Sequence, residues 1–107
     1  MSEVIITMKQ YTELQIQKAL TQLNSELCDG HKWLVENHKL TKSFTFKNFI
    51  DAFGWMSQIA ICAEKLNHHP DWLNSYNKVV VSLTTHELGG LSELDFKLAE
   101  KMDFYIK

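Results

Sequence analysis

A single proline, Pro70, and four glycines interrupt the 107 residues, and Pro70, Gly30 and the pair Gly89-Gly90 mark places where the chain must stop or turn. Cysteine is also scarce. Cys28 and Cys62 allow at most one disulfide, and the opening "MSEVIITMKQ" has no basic stretch and an apolar run of only Val4 to Ile6. No secretory leader is expected from that pattern, so the chain reads as a cytoplasmic protein with two free thiols. Nowhere does an apolar run approach the ~18 residues of a membrane span. Positive charge is not in excess: 11 lysines and arginines stand against 13 aspartates and glutamates, a net charge of −2. Neither a phosphate backbone nor an anionic membrane surface is called for. There is no internal repeat, low-complexity tract or linker, no Gly-rich phosphate loop, no nucleophile elbow, and neither HExxH nor CxxC.

What remains is an ordinary globular balance, 45% hydrophobic and 22% charged, in a length that fits one domain over residues 1–107, with residues 1–11 as a loose arm. Residues 12 to 27 read as a helix. Thr12 and Gln15 make a capping box, and Ile16, Leu20, Leu23 and Leu27 recur at helical spacing before the turn signal Asp29-Gly30. From His31 to Phe46 aromatic and β-branched residues alternate with polar ones, broken near Asn37-His38, which predicts a hairpin. Residues 47 to 66 form the strongest helical pattern, with two apolar stripes: Phe49, Phe53, Met56, Ala60, Ala63 and Ala52, Trp55, Ile59, Cys62, Leu66. One stripe can cover a sheet. The other, the face rich in Ala52, Trp55, Ile59 and Cys62, is assigned either to a second subunit or to neighbouring helices of the same chain.

Pro70 biases His69 away from helical backbone and is expected to stop this helix. A short strand around Trp72 to Ser75 and a clear one over residues 76 to 85, "YNKVVVSLTT", follow. After the Gly89-Gly90 turn, Ser92 and Asp95 form a second capping box, Leu91 and Phe96 its hydrophobic staple, and Leu94, Leu98 and Met102 carry a last helix to about Tyr105. The order is α-β-β-α-β-β-α. Adjacent strand pairs predict an α+β fold, a four-stranded antiparallel sheet with three helices on one face.

The residues with chemistry sit at element ends. His68 and His69 lie where the long helix gives way to extended chain, and His86 lies just past the valine strand. Histidine gives and takes protons near neutrality. If the valine strand pairs with the segment after Pro70, the three imidazoles converge. Each also has a plain reading: His68 as a cation at a helix C-terminus, His86 as a surface residue, and Glu64 as either the holder of the His68 ring or a solvated i,i+4 partner to it. Asp95 is explained by its cap alone. His31 and His38 read as surface residues. A three-histidine zinc site is the rival, weakened because neighbours in extended chain point opposite ways, so His68 and His69 do not readily chelate one ion.

"AEKLNHHPDW" followed by "YNKVVVSLTTHELGGLSELD" closely resembles the pterin-4a-carbinolamine dehydratases, also called 4a-hydroxytetrahydrobiopterin dehydratases. Their pattern is E-K-x-x-H-H-P-x-W, an aromatic-Asn-x-V strand, T-H and, after a glycine, L-S-x-x-D. Glu64, Lys65, His68, His69, Pro70, Trp72, Tyr76, Asn77, Val79, Thr85, His86, Gly90, Leu91, Ser92 and Asp95 all match it. "FTFKNFIDAFGWM" resembles the segment entering the family's long helix, and the likeness runs over about residues 12 to 105. Asn67 stands where some members have aspartate.

The resemblance implies removal of water from the hydroxylated pterin that aromatic amino acid hydroxylases release, giving the quinonoid dihydropterin for a reductase to recycle. It implies no metal and no cofactor of its own, an α+β sandwich, and a homodimer or homotetramer. By analogy His68 and His86 are the acid and base, and His69 holds the hydroxyl and the pterin. The His68–Pro70 turn and the backbone of Thr85, His86, Glu87 and Leu88 would bond the flat ring. Asp95 and Glu64 would support the histidines, and Trp33 or Trp72 would flank the ring. A regulatory reading stands beside the enzyme: vertebrate members also bind a homeodomain transcription factor as a dimerisation partner, which makes a coactivator-like module the alternative. A hydroxylase in the same pathway is a further expected partner.

Overall fold

The computed structural model describes residues 8–106. The first seven residues of the expected arm therefore lie outside the described part. Its last residue, Tyr11, is fastened: the backbone N–H donates to the Leu91 carbonyl at 2.7 Å, and the ring stacks on Phe96 with centroids 5.8 Å apart. Helix α1, Glu13–Asn24, follows. Thr12 caps it as expected, its Oγ1 accepting from the Gln15 N–H while Gln15 Oε1 accepts from the Thr12 N–H. The helix ends three residues earlier than the spacing predicts. Asn24 turns its side-chain amide to Trp33, donating to its carbonyl at 3.0 Å and accepting from its N–H at 2.8 Å. Leu27 still packs against the core, but from a turn.

Strands β1, Leu34–Glu36, and β2, Lys39–Thr45, form the predicted hairpin. Asn37 and His38 make its two-residue turn with φ of 52° and 63°, the left-handed pair that matches strand twist and that asparagine tolerates. Helix α2, Phe49–Leu66, is capped by Asn48, whose Oδ1 accepts from the Asp51 N–H at 2.8 Å. Strands β3, Asp71–Ser75, and β4, Lys78–Leu83, form a second hairpin around Tyr76-Asn77. Tyr76 sits at φ 52°, which is costly for a residue with a large side chain. Asn74 braces that turn by donating to the carbonyls of Tyr76 and Lys78. A one-turn 3₁₀ segment, His86–Leu88, and helix α3, Glu93–Phe104, complete the chain.

The sheet is antiparallel throughout, in the order β1-β2-β4-β3. The three helices and four strands make the expected α+β fold in the expected order. Alternation sends Leu40 and Phe44 of β2 and Val79, Val81 and Leu83 of β4 into the core, while Ser43, Leu73 and Val80 face outward. Lys42 is an exception on the inner face. It forms a partly buried ion pair with Asp103 at 2.7 Å, and Asp103 also accepts the Trp33 indole N–H at 2.9 Å.

The apolar face of α2 is not divided as the sequence suggests. Ala52, Trp55, Ile59 and Ala63 are buried within the chain. Trp55 lies against Phe44, Phe46 and Trp72, and its indole N–H donates to the Met102 carbonyl at 3.0 Å. The face left open carries Phe49, Ile50, Phe53 and Ile61 instead. Of the two partners offered for this stripe, a second subunit or neighbouring helices, the structure shows the helices: α3 supplies a carbonyl and an apolar wall at the spot where Trp55 needs both. Both thiols are free, and no helix among the described residues is long and apolar enough to cross a membrane.

Candidate active site

The site begins at the end of α2. Asn67 adopts the left-handed conformation, φ 53° and ψ 43°, and closes the helix with two backbone bonds: Asn67 N–H to the Glu64 carbonyl and His68 N–H to the Ala63 carbonyl. This 5→2 and 6→1 pair is a Schellman closure, and it sets the stop at Leu66. Pro70, expected to end the helix, lies beyond an end already made, and instead leads the chain into β3. The reversal at Asn67 sends the next two side chains in different directions. His68 turns inward and is 7% exposed; His69 turns back over the last helical turn and remains open.

His68 Nε2 meets Asp95 Oδ1 at 2.6 Å. Asp95 is fully buried at the third position of α3. Its Oδ2 accepts the Ser92 N–H at 2.9 Å, the capping bond, and the Thr85 hydroxyl at 2.8 Å. The Thr85 and Ser92 hydroxyl oxygens are themselves 2.7 Å apart. The capping box is therefore as expected, yet it engages only one of the two carboxylate oxygens. The other is free for the histidine 27 residues earlier in the chain.

His69 pairs through Nε2 with Glu64 Oε2 at 2.5 Å, both largely exposed. Glu64 was expected beside His68, one helical turn on; the left-handed residue between them breaks that spacing and hands Glu64 to His69. His86 opens the 3₁₀ segment, 73% exposed, with its Nε2 3.6 Å from Asp71 Oδ2. Asp71 went unread in the sequence. It occupies the variable place between Pro70 and Trp72, and only the antiparallel pairing of Asp71 with Ser82, three residues past which the chain reaches Thr85, carries it toward His86. All three imidazoles thus address a carboxylate through Nε2. They are tied to one another by two short routes: His68 to Asp95 to Thr85, which precedes His86, and His86 to Asp71, which follows Pro70.

The Thr85–Leu88 backbone is partly occupied. The Thr85 N–H donates to the Gly90 carbonyl at 3.0 Å, and the Leu88 N–H to the Thr85 carbonyl at 3.0 Å. The N–H groups of His86 and Glu87, in the first turn of the 3₁₀ segment, have no backbone partner among the described residues. Gly90 lies against Gln10, with the Gln10 amide nitrogen 2.6 Å from where a Cβ would sit, so a larger residue there would push the end of the Gln10 side chain aside. Trp33 is fully buried and bonded to Asp103, which removes it from any ring-flanking role; Trp72 is half-buried against Trp55. Among the described residues, no three histidine, cysteine, aspartate or glutamate side chains converge as metal ligands would. A cleft of about 610 Å³ between Phe46, Trp55 and Tyr105 lies elsewhere and holds none of the histidines.

The α+β layer thus sets three imidazoles, groups that exchange protons near neutrality, each against a carboxylate at an element end. The chain belongs to the pterin 4 alpha carbinolamine dehydratase family, whose model matches residues 9–105. A Roseobacter denitrificans protein named "Putative pterin-4-alpha-carbinolamine dehydratase" is 64% identical over 74 residues, 69% of this chain and 76% of that one. A Prochlorococcus marinus protein of the same name is 50% identical over 82 residues, 77% of this chain and 86% of its own. The crystal structure of a transcriptional coactivator/pterin dehydratase from Brucella melitensis superposes with a TM-score of 0.82 at 44% identity, covering 92% of this chain and all of that one. Membership makes this chain a hydro-lyase of the pterin carbinolamine dehydratase type.

Proposed function

We propose that the chain dehydrates 4a-hydroxytetrahydrobiopterin to the quinonoid dihydropterin by histidine acid–base catalysis, and so recycles the cofactor of an aromatic amino acid hydroxylase. Two events make the reaction. The C4a–O bond breaks as its oxygen takes a proton and leaves as water. The N5–H bond breaks, and its electron pair forms the C4a=N5 double bond. One proton is delivered and one removed, with no change of oxidation state, which is work for two positioned imidazoles. His68 and His86 exchange these protons. His69 holds the hydroxyl, and the free amides of His86 and Glu87 hold the flat ring beside Pro70 and Leu88. Glu64, Asp71 and Asp95 orient the rings, and Trp72 supports the wall behind them.

The observation that carries this reading is that His68 bonds Asp95, which bonds Thr85 next to His86, while His86 faces Asp71, three residues on from His68. The test is a spectrophotometric dehydration assay in which a hydroxylase generates the carbinolamine in situ. The expected result is loss of the carbinolamine far above its spontaneous rate; a rate equal to the spontaneous one overturns the reading.

The open face of α2 supports self-association. Phe49 and Phe53 are 45% and 55% exposed with rings 5.7 Å apart, flanked by Ile50 and Ile61, a patch that a second copy would cover. Light scattering should give a mass above the 12.5 kDa of one chain. The same face is where a coactivator-like partner would dock, the reading that the Brucella melitensis protein's name favours. Two free thiols suit a cytoplasmic setting.

A further inference from the structure

The loop that presents the His86 and Glu87 amides is held at both ends by different parts of the chain. At its start Thr85 is buried and its hydroxyl donates to Asp95. Its middle is a single 3₁₀ turn, His86–Leu88, a form with poor hydrogen-bond geometry and little rigidity of its own. Its far end returns to the start: the Thr85 N–H donates to the Gly90 carbonyl at 3.0 Å in an isolated antiparallel bridge. Whatever places Gly90 therefore also places the turn between them. Gly90 is buried, and what lies against it is the side chain of Gln10, from the arm before α1. Gln10 Nε2, Cδ and Cγ stand 2.6, 3.1 and 3.3 Å from the point a Cβ would occupy. Gly89 has φ 72°, a backbone reason to be glycine; Gly90 has no positive φ, and its bare Cα instead gives Gln10 a seat. The next residue along is fastened too. The Tyr11 N–H donates to the Leu91 carbonyl at 2.7 Å, and the Tyr11 ring stacks on Phe96 of α3. Gln10-Tyr11 thus lies across Gly90-Leu91 over two consecutive residues.

We propose that Gln10 and Tyr11 are positioning residues: they strap the far end of the 85–90 loop, so that the His86 and Glu87 amides are set for the pterin before it arrives. The inference rests on the dehydratase reading and adds to it two residues far in sequence from the histidines. Neither touches substrate; both act through Gly90 and Leu91. Without the strap the loop is clamped firmly only at Thr85, and some of the free molecules hold the two amides out of place. Binding then has to order the loop, and the apparent dissociation constant rises by the inverse of the fraction already in place. Once the ring sits on the amides, the loop is in place with or without the arm, and the proton transfers proceed as before. The loss therefore appears in KM and spares kcat.

Two measurements test this together: amide hydrogen exchange of the free protein, and steady-state dehydration of the carbinolamine generated in situ by a hydroxylase. In Tyr11→Ala, which takes the ring off Phe96, the Thr85, Leu88 and Gly89 amides should exchange about tenfold faster, with the β4 amides unchanged. KM should rise about fivefold while kcat stays within about twofold of wild type. Gln10→Ala should act in the same direction on a smaller scale, and Gln10→Met, which refills the seat without the amide, should restore wild-type values. Gly90→Ala displaces Gln10 from the other side of the same contact, so Gln10→Ala/Gly90→Ala should be no worse than Gly90→Ala alone. Unchanged exchange and KM in Tyr11→Ala overturn the proposal, as does a fall in kcat at constant KM. Faster exchange with KM unchanged overturns it too, because the arm then serves the fold and not the substrate. Should Tyr11→Ala fail to fold, Gln10→Ala and Gly90→Ala decide by the same readings. Exchange needs no substrate. A protein whose loop answers to the arm but which leaves the carbinolamine at its spontaneous rate sinks the dehydratase reading alone, and an active protein indifferent to the arm sinks this inference alone.

Discussion

His68–Asp95 on one side and His69–Glu64 with His86–Asp71 on the other are the same chemical pair in two settings. The first is buried, with every oxygen of its carboxylate engaged. The other two lie open, their partners 77% and 62% exposed. Exposed ion pairs contribute ~0–1 kcal/mol, whereas removing one partner of a buried pair costs ~3–5 kcal/mol, because the other is left desolvated and alone. The difference separates two tasks within a few residues. The buried pair sets a ring at one angle and joins α2, the 85–90 loop and α3 into one unit. The open pairs steer rings that must meet substrate and water, and add little to the fold.

Asp95→Ala attacks the buried side and should have the largest effect. It removes the carboxylate half of the α3 capping box, the acceptor for Thr85 and the partner of His68 together. Stability should fall by about 3 kcal/mol in urea unfolding, and dehydration should fall with it. A loss under about 1 kcal/mol would mean that the buried pair is no more structural than the open ones.

His86→Ala attacks the open side. Turnover should fall at least tenfold, within the ~10²–10⁴-fold that a positioned histidine supplies, while the unfolding midpoint stays near wild type. His68→Ala should match it in turnover but also lose stability, since Asp95 is then left buried without its partner. If the double variant dehydrates the carbinolamine at the wild-type rate, the histidine assignment fails outright.

Asp71→Asn sharpens the contrast further. With His86 73% exposed and the gap at 3.6 Å, the carboxylate steers the ring rather than fixing it. A two- to fivefold drop in kcat is expected, with Asp71→Glu near wild type and stability changed by less than about 0.5 kcal/mol. The Asp71→Asn defect should shrink as salt rises, because an exposed pair is screened. A defect that ignores salt would assign Asp71 a role other than charge.

How far the sequence could be read follows the same division between local and distant. Both capping boxes, the Asn37-His38 turn and the order of elements were legible, since each depends on residues three or four apart. The fault lines appear where one local feature displaces another or where contacts span the fold. The end of α2 was assigned to Pro70, but left-handed Asn67 ends it first, and that shift reassigns Glu64 from His68 to His69. Asp95 was legible as a cap and only by family likeness as a histidine partner, because the contact joins residues 27 apart. Asp71 carried no local signal at all. The two burial partners offered for the Trp55 stripe of α2 could not be told apart locally, because the wall that covers Trp55 comes from α3, 47 residues away.

The smallest effect belongs to Tyr11, where the arm meets α3. Burial, reinforced by the nearby Glu93 carboxylate, holds the phenol above its ordinary value of 10.0. The unfolded chain ionises at that ordinary value while the folded chain still holds a neutral phenol, so the unfolded state releases its proton first. The contribution is whole below about pH 10 and is lost as pH rises through the folded value. Tyr11→Phe keeps the stacking on Phe96 and the backbone bond to Leu91 but has no proton to lose. Wild type and variant should therefore unfold alike at pH 8, and above pH 10 wild type should lose stability faster than the variant. Parallel stability curves on the alkaline side would show that the phenol is as free as in the unfolded chain, and that the arm rests on the loop at Leu91 without being held there by its ring.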